Sequence, residues 1–345
     1  MSKPQNNPFS LPERDFAHIV LHAGADLEAL RGKSLFITGG TGFFGKWLLG
    51  SLVHASMELN LDLKLTVLSR DPGAFQKQYP EVDGLPGLDF IAGDVAQFSA
   101  EQRKFDYVLH AATDTTAFTE EAQEKRRSNT IIEGTGRIID LMRTSGARRL
   151  LNISSGAVYG AAAGQPTGAK EDDYASAHPL IPYAEAKREA EQLCVDSGLD
   201  FVTARAFAFL GPHLPLDAHF AAGNFLRDAY KGVPILVRGD GTALRSYLYP
   251  ADLVIWLLRI LVNGKRGEAY NVGSDEAVST AQLARLMAVA VSPRVDVTIQ
   301  SVQPQGWQNI YLPDIRKART QLNLDVYIPL REAIRRTLEF LSTTK

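Results

Sequence analysis

Three residues near the middle of the chain have the types and the spacing of an acid/base site. Tyr183 and Lys187 stand four positions apart, so a helix places their side chains on one face. A phenol normally titrates near ~10, and a neighbouring ammonium lowers its pKa until it can exchange a proton with a substrate hydroxyl or carbonyl. The hydroxyl of Ser155, in an earlier Ser-Ser turn, would hold the same substrate oxygen. We predict catalytic roles for all three, although most Tyr-x-x-x-Lys pairs are a half-buried tyrosine above a solvated lysine.

A glycine-rich turn near the start of the chain has the pattern of a phosphate site. The apolar run over 35–37 predicts a buried strand, and a helix is predicted to begin near Phe43. Backbone N–H groups and the positive end of the helix dipole would then point at a pyrophosphate. The spacing, with a glycine at every third position, differs from the G-x-G-x-x-G fingerprint, so a glycine turn without a ligand is the alternative. The predicted cofactor contacts here are Gly39, Thr41, Gly42, Phe43, Phe44 and Gly45.

The elements that must position these residues alternate between strand and helix. After the first strand, further strands are predicted over 64–69, 88–92, 107–111, 149–154 and 200–205. Long helices are predicted over about 117–145 and 183–197. The alternation predicts an α/β fold, a doubly wound parallel Rossmann sheet with helices on both faces that binds ligands at the carboxyl ends of its strands. Residues 1–33 are predicted to add one or two short amphipathic helices without chemistry of their own.

The composition excludes several classes of protein. A net charge of −2 over 345 residues marks neither a nucleic-acid-binding nor a membrane-binding surface. Cys194 is the single cysteine, so neither an intrachain disulfide nor a four-cysteine metal site is possible, and no metal is predicted. The longest apolar segment, over 253–262, contains Arg259 and is too short to span a bilayer. The polar N-terminus has no signal-peptide core, and a cytoplasmic location is predicted.

The end of the second predicted strand indicates the type of dinucleotide. An acidic residue there would bind the adenosine ribose and repel a 2′-phosphate. This chain has Ser69 and Arg70 instead, and a hydroxyl beside a guanidinium suits a 2′-phosphate. NADP(H) is therefore favoured over NAD(H), although Asp71 follows and would serve NAD. Further cofactor contacts are predicted after the third, fourth and fifth strands, at Asp94, Val95, His110, Ala111, Ala112 and Ser154.

The order of these motifs resembles the extended short-chain dehydrogenase/reductase family, and within it the nucleotide-sugar epimerases, dehydratases and reductases. The resemblance covers roughly residues 34–325. Its matched motifs are Thr38-Gly-Gly-Thr-Gly-Phe-Phe-Gly45, Gly93-Asp94, His110-Ala-Ala, Gly134-Thr135, Ser154-Ser-Gly-Ala-Val-Tyr-Gly160, Tyr183-x-x-x-Lys187, Gly211-Pro212, the segment Arg245 to Leu253, and Tyr270-Asn-Val-Gly273.

The resemblance implies specific roles and a domain organisation. Tyr183 would be the acid/base, Lys187 would lower its pKa and hold the nicotinamide ribose, and Ser155 would orient the sugar oxygen. Arg245 resembles the family's arginine on the sugar-nucleotide diphosphate. Residues 34–205 with 233–272 would form the NAD(P)-binding domain, and 206–232 with 273–345 a smaller C-terminal substrate-binding lobe. A homodimer is expected through the helices that begin near 117 and 183.

Departures from the family pattern narrow the predicted reaction. Relatives that dehydrate a sugar across carbons 4 and 6 carry an Asp-Glu pair where this chain has Gly156 and Ala157, and many sugar-nucleotide decarboxylases carry a Glu at the second place. Both reactions are therefore disfavoured. The family's usual Asn three residues before Gly211 is Ala208, and 303–314 lacks a second diphosphate arginine, for which Arg316 or Arg319 is a possible substitute.

Two reactions remain for a nucleotide-sugar substrate, namely epimerisation through a keto sugar and one-way reduction of a keto sugar, with carbon 4 as the favoured centre. Additional substrate contacts are predicted at His213, His219 and Asn224, where a structural histidine is the alternative to a catalytic one. The other readings are a ketoreductase of a non-sugar metabolite and a non-catalytic dinucleotide-binding module. The intact set of Ser155, Tyr183 and Lys187 argues against the last.

Overall fold

The computed structural model describes residues 7–99, 103–113, 121–164, 166–175, 180–218, 220–300 and 309–343. The chain divides into two compact units. The first unit comprises Met1–Val158, Leu180–Arg205 and Val254–Tyr270, and the second comprises Tyr159–Pro179, Ala206–Leu253 and Asn271–Lys345.

The strands of the described segments follow the predicted order. They are β1 (Ser34–Thr38), β2 (Lys64–Ser69), β3 (Leu88–Ala92), β4 (Tyr107–His110), β5 (Arg149–Ser155), β6 (Phe201–Ala206), β7 (Ile235–Val237), β8 (Leu244–Arg245), β9 (Ala269–Val272), β10 (Val278–Ser279), β11 (Val297–Ile299) and β12 (Ile310–Tyr311).

The helices are α1 (Glu13–Ala29), α2 (Phe43–Glu58), α3 (Pro72–Gln78), α4 (Glu121–Ser145), α5 (Pro182–Asp196), α6 (Ala221–Lys231), α7 (Pro250–Asn263), α8 (Thr280–Val289), α9 (Arg316–Leu322) and α10 (Leu330–Thr343). The predicted start of α4 near residue 117 lies outside the described residues. None of the helices in the described segments is long and apolar enough to cross a membrane.

The central sheet confirms the predicted doubly wound α/β architecture. Its strand order is β3-β2-β1-β4-β5-β6-β9, and β1 pairs in parallel with both β2 and β4. Almost every residue of β1, β2 and β5 is buried, as expected when helices cover both faces of a parallel sheet. The order reverses at β1, so the carboxyl ends of β1 and β4 form the edge where this fold binds ligands.

In the described part of the N-terminal extension, one 17-residue helix, α1, forms where one or two short helices were predicted. Its Phe16 ring stacks on His54 of α2 with ring centroids 4.2 Å apart. Its Asp26 is buried and accepts hydrogen bonds from Arg259 at 2.7 Å and Asn263 at 2.6 Å, both on α7. The helix is thus an integral part of the first unit.

The second unit contains two small sheets, ordered β10-β8-β12 and β11-β7. The boundaries of the two units differ from those predicted, because residues 233–253 belong to the second unit. The reason is strand pairing that local patterns do not reveal: β7 pairs in parallel with β11, and β8 pairs with β10 and β12. Residues 159–179 also belong to the second unit, where Ala169 forms a bridge with Pro313.

Candidate active site

Ser155, Tyr183 and Lys187 come from two adjoining elements of the first unit. Ser155 is the last residue of β5, whereas the predicted strand ended one residue before it. Tyr183 and Lys187 lie in the first two turns of α5, which begins at Pro182. Proline fits the first helical position because its missing N–H has no partner there in any helix. The strand end and the helix start therefore bring the three predicted side chains together.

The hydroxyls of Ser155 and Tyr183 are directly hydrogen-bonded. Ser155 donates to the phenol oxygen, which lowers the pKa of Tyr183, and the positive charge of Arg127 lowers it further. Burial has the larger effect and raises the pKa of Tyr183 above its usual value. The guanidinium of Arg127 is thus a second cation that acts on the phenol, in addition to the predicted Lys187, whose effect on this pKa stays a prediction.

Lys187 is held by two acceptors at the carboxyl edge of the sheet. Its Nζ atom donates to Thr113 Oγ1 at 2.7 Å and to the carbonyl oxygen of Ile153 at 2.9 Å. Its side chain is buried, and burial lowers the pKa of Lys187 to about 8, while the carboxylate of Glu191 raises it. The ammonium is therefore the prevailing form at neutral pH, and its direction is fixed.

A hydrogen-bonded chain links the ends of β1 and β4. The Thr135 hydroxyl donates to the Ile131 carbonyl oxygen at 2.8 Å, so it accepts from His110 Nε2 at 3.3 Å. The opposite nitrogen of the neutral ring, Nδ1, then accepts from the Thr38 hydroxyl at 2.8 Å, and Thr38 Oγ1 in turn accepts from the Ala112 N–H at 3.0 Å. Burial lowers the pKa of His110 to about 3, and the charge of Lys187 adds to this, so the ring is neutral. The His110 side chain thus joins β1 to α4, and its predicted contact with a cofactor stays a prediction.

The glycine turn has little room for side chains, as a close approach of backbone to a ligand requires. Gly39 has φ +71°, and a Cβ there would lie 2.6 Å from the carbonyl carbon of Ala111. A Cβ at Gly45 would lie 2.2 Å from the carbonyl carbon of Gly40. Helix α2 begins at Phe43, as the pattern predicts, and its N-cap, Gly42, offers no side-chain acceptor to the first-turn amides. These features fit a diphosphate at the helix N-terminus.

Two polar side chains of β5 support the same fit. The hydroxyl of Ser154 and the amide nitrogen of Asn152 are buried and have no hydrogen-bond partner among the described residues. Buried polar groups are ordinarily satisfied, so both are candidate contacts to a bound dinucleotide. Ser154 is among the predicted cofactor residues, whereas Asn152 is not.

Two other predicted cofactor residues are engaged with their own backbone or core. The carboxylate of Asp94 accepts a hydrogen bond from the Ala96 N–H at 2.9 Å. Val95 is buried against α4, where a Cβ added to Gly134 would lie 2.9 Å from its side chain. Val95 therefore packs a helix against the sheet and supplies a boundary of the site rather than a polar contact.

At the end of β2 the structure separates the roles of three neighbouring residues. Ser69 is buried at the strand end, and Arg70 is exposed. The carboxylate of Asp71 caps α3 by accepting the Ala74 N–H at 2.8 Å. The acidic group that would serve a ribose is thus used in a helix cap.

The sequence model of the NAD dependent epimerase/dehydratase family matches residues 35–273, which includes the glycine turn, Ser155, Tyr183 and Lys187. The chain belongs to this family. This membership confirms the resemblance predicted from the sequence. It also confirms that the chain is an enzyme of the NAD-dependent epimerase/dehydratase type.

Several known proteins and solved structures are similar to this chain over most of its length. UDP-glucuronic acid decarboxylase 1 of Xenopus tropicalis is 28% identical over 317 residues, which cover 89% of this chain and 72% of that protein. The epimerase Mth375 of Methanothermobacter thermautotrophicus has a TM-score of 0.79 at 22% identity, covering 95% and 96% of the two chains. The Bordetella bronchiseptica enzyme WbmF, solved with NAD⁺ and UDP, has a TM-score of 0.75 at 20% identity, covering 92% and 94%.

In this epimerase/dehydratase chain, Arg245 of the second unit has no carboxylate partner among the described residues. It donates through Nη1 to the carbonyl oxygens of Leu244 and Asn309, both at 2.7 Å, and through Nη2 to Asn309 Oδ1 at 3.0 Å. Its guanidinium lies 5.7 Å from the centroid of the Tyr311 ring. Burial lowers the pKa of Arg245 below its usual value. A partly buried guanidinium fixed only by neutral groups is suited to an anionic ligand.

The remaining predicted substrate residues give a mixed result. The amide of Asn224 is occupied, donating to the Ala218 carbonyl oxygen at 3.0 Å and accepting from Arg227 at 3.0 Å. His213 has φ +66°, and its ring packs edge-on against Phe340 at 4.9 Å. The predicted substrate roles of Asn224 and His213 stay predictions. His219 lies outside the described residues.

Sequence reasoning missed Arg127 and gave Thr113 no role as a lysine partner. Thr113 directly follows the predicted His110-Ala-Ala segment, so its proximity to the site was available as a signal. Arg127 had no such signal, because only the packing of α4 against α5 brings it over Tyr183.

Proposed function

We propose that this chain is an NAD(P)-dependent enzyme that transfers hydride at a ring carbon of a nucleotide-activated sugar, with carbon 4 as the favoured centre. The observation that carries the proposal is the hydrogen-bonded pair of Ser155 and Tyr183 beside a fixed Lys187 ammonium. A phenol, a hydroxyl and an ammonium at a sheet edge that accepts a dinucleotide are suited to alcohol–ketone interconversion. A bound nicotinamide supplies the hydride acceptor or donor.

Each residue of the trio has a distinct part in this reaction. In the oxidative direction, the Tyr183 phenolate takes the proton of the substrate hydroxyl while the hydride leaves from the same carbon. In the reductive direction, the phenol returns a proton to the ketone oxygen. Ser155 holds that oxygen by a hydrogen bond and fixes its distance from Tyr183. Lys187 keeps a positive charge at the site, where it stabilises the phenolate and holds the nicotinamide ribose.

The residues after Ser155 favour hydride chemistry without elimination. Gly156 and Ala157 carry no carboxyl group, and the Ala157 N–H donates to Ser155 Oγ at 3.2 Å. Dehydration across carbons 4 and 6 therefore lacks its acid and base at these positions. The decarboxylase named among the relatives acts, by its name, on a uronic acid, so a UDP-uronate is included in the test below.

The proposed cofactor is NADP(H). Arg70 is exposed beside the buried Ser69, and the carboxylate of Asp71 is used in the cap of α3. An exposed guanidinium beside an occupied carboxylate favours a 2′-phosphate over an unmodified ribose. Because cells keep the NADP(H) pool largely reduced, this preference favours the keto-sugar reductase over the epimerase. The solved neighbour WbmF contains NAD⁺, which makes the comparison of the two cofactors the decisive measurement.

The proposed substrate is a uridine diphosphate sugar, bound through Arg245. The relative quoted above is named for a UDP-sugar, and WbmF was solved with UDP. The guanidinium of Arg245 can turn toward a diphosphate because its present acceptors are neutral. A homodimer through α4 and α5 remains part of the proposal, supported by Ile181 and Val195 at α5, which are 60% and 54% exposed.

The test is a turnover panel with UDP-glucose, UDP-glucuronate and a UDP-4-keto sugar, each with NAD⁺, NADPH or NADH. A reductase consumes NADPH in proportion to product, whereas an epimerase interconverts sugars and keeps a carbon-4 deuterium label without net cofactor change. Release of carbon dioxide from UDP-glucuronate would show that the enzyme is a decarboxylase rather than a reductase or an epimerase. Absence of binding, measured by thermal shift, to every nucleotide sugar and both cofactors would overturn the proposal.

A further inference from the structure

A guanidinium covers the ring of Tyr183. Arg127 lies on α4, and its Cζ atom stands 4.9 Å from the centroid of that ring. The Arg127 side chain is only 10% exposed, and Glu124, three residues earlier, accepts its hydrogen bond at 2.9 Å. A cation over an aromatic face is attracted by the electron-rich ring, and the attraction grows when water is excluded. The Arg127 side chain is therefore held in a defined place against the phenol.

The Tyr183 side chain also packs against an apolar cluster formed by α4 and α5. The members of this cluster are Ile131, Ala186 and Ala190. The apolar cluster and the guanidinium of Arg127 both restrict the Tyr183 ring, which therefore has few alternative rotamers. Together these contacts aim the phenol oxygen at Ser155, which donates a hydrogen bond to it.

Other charged and titratable groups near the phenol are already engaged. On α4, the carboxylate of Glu124 is bound to Arg127. On α5, the ammonium of Lys187 donates to the residues after β4 and within β5, and Glu191 forms a buried ion pair at 2.7 Å with an arginine of β6. His110 on β4 is neutral and hydrogen-bonded at both ring nitrogens. Arg127 is the cation that stacks on the ring.

We propose that Arg127 is a positioning residue for proton transfer, holding the Tyr183 ring by stacking and keeping a positive charge beside its hydroxyl. The inference rests on the proposed function, because it takes Tyr183 as the group that exchanges the proton. In the oxidative direction, the substrate O–H bond breaks, the phenol O–H bond forms, and the hydride leaves with its electron pair to the nicotinamide. Arg127 stabilises the phenolate that begins this step and releases no proton itself.

The electrostatics of the site agree with this geometry. Burial raises the pKa of Tyr183, and the Arg127 charge opposes that rise. Loss of the charge would leave burial opposed only by the Ser155 hydrogen bond, so the pKa of the phenol would increase. A nearby opposite charge typically shifts a pKa by about 1 unit or more.

The experiment is a pH titration of the protein labelled with ¹³Cζ-tyrosine, followed by NMR, with the Tyr183 signal assigned from Tyr183→Phe. Arg127→Met is expected to raise the Tyr183 pKa by about 1 unit. Arg127→Lys keeps the charge and the Glu124 pair, so a smaller increase is expected, and it remains informative if the methionine variant does not fold. Arg126→Met, on the exposed face of the same helix turn, is the matched control and is expected to leave the Tyr183 pKa unchanged.

An unchanged Tyr183 pKa in both Arg127 variants, or an equal change in Arg126→Met, would overturn the inference. The titration needs no substrate and no turnover. If no nucleotide sugar is turned over but the Arg127 variants still raise the Tyr183 pKa, the result would therefore count against the proposed function alone.

Discussion

The ammonium of Lys187 donates to the hydroxyl of Thr113 across 2.7 Å, which ties the helix after β5 to the loop after β4. The backbone at the start of that loop is held in turn, because Ala112 donates to the hydroxyl of Thr38. The position of Lys187 is therefore set by the sheet edge rather than by direct contact with Tyr183. The contacts that hold Lys187 are therefore separate from those that Ser155 and Arg127 make with the phenol, and each set leads to predictions.

Replacement of the phenol tests the proton-transfer role. Tyr183→Phe is expected to lower turnover by at least about 100-fold, because a positioned acid/base group contributes that much or more. Dinucleotide binding, measured by fluorescence quenching, is expected to remain nearly unchanged. Tyr107→Phe, at the opposite end of β4 from His110, is the control and should keep full activity. An active Tyr183→Phe enzyme would contradict the assignment.

Replacement of Thr113, one of the two acceptors of Lys187, tests how the protein keeps this amine protonated. Lys187 is charged below a pKa of about 8, so activity that needs the ammonium declines as pH rises through that value. Thr113→Val keeps the side-chain shape but removes an acceptor from the charged form, which lowers the pKa further. The alkaline limb of the turnover profile is therefore expected to move to lower pH.

Lys187 is also expected to make the free energy of unfolding depend on pH in a defined direction. Between pH 8 and 10.5 the unfolded chain binds a proton at this residue that the folded protein does not. The contribution of Lys187 to the free energy of unfolding therefore increases as pH rises through this window. Chemical denaturation of wild type and Lys187→Met across the window measures the difference, and a difference that does not vary with pH would contradict the buried position of the amine.

Replacement of Arg70 tests the choice between the two dinucleotides. Arg70→Ala is expected to weaken NADP(H) binding by about tenfold or more, since a phosphate loses a charge-assisted hydrogen bond, and to leave NAD(H) binding almost unchanged. Isothermal titration with both cofactors provides the measurement. Arg143→Ala, an exposed arginine in the last turn of α4, controls for the loss of net charge. Equal effects of Arg70→Ala on the two cofactors would remove the argument for phosphate selection.

Replacement of Arg245 tests the proposed diphosphate contact. Arg245→Met is expected to weaken UDP binding by at least about tenfold, because neutral hydrogen bonds do not replace the charge. Arg238→Met, an exposed arginine of the same unit, is the matched control. Unchanged UDP affinity in Arg245→Met would place the diphosphate elsewhere.

The N-terminal helix is expected to contribute to stability through one buried carboxylate. Asp26→Asn leaves Arg259 without its counter-charge and is expected to lower the free energy of unfolding by about 3 kcal/mol. Glu28→Gln, which breaks an exposed pair with Arg31 on the same helix, is expected to cost less than about 1 kcal/mol. Urea denaturation of both variants gives the comparison, and equal losses would show that α1 is only loosely attached.

Much of the site could be predicted because its parts are local in sequence. The glycine turn needs residues without a Cβ at fixed intervals, and the helix start at Pro182 places Tyr183 and Lys187 one turn apart. Alternating strands and helices likewise dictate a parallel sheet, whose carboxyl edge gathers the ends of β1, β4 and β5. These features follow from backbone geometry that neighbouring residues determine.

The partners of the reactive groups depended on contacts between distant segments. Arg127 reaches Tyr183 only because α4 packs on α5, and the His110 ring is held at both nitrogens only because hydroxyls of Thr38 and Thr135 lie beside it. The boundary between the two units differs from the predicted one for the same reason, because β7 pairs with β11, some sixty residues away in the sequence. The sequence alone therefore determined which chemical groups stand at the sheet edge, whereas tertiary packing decided which charge acts on which group, because electrostatic effects depend on distance and burial.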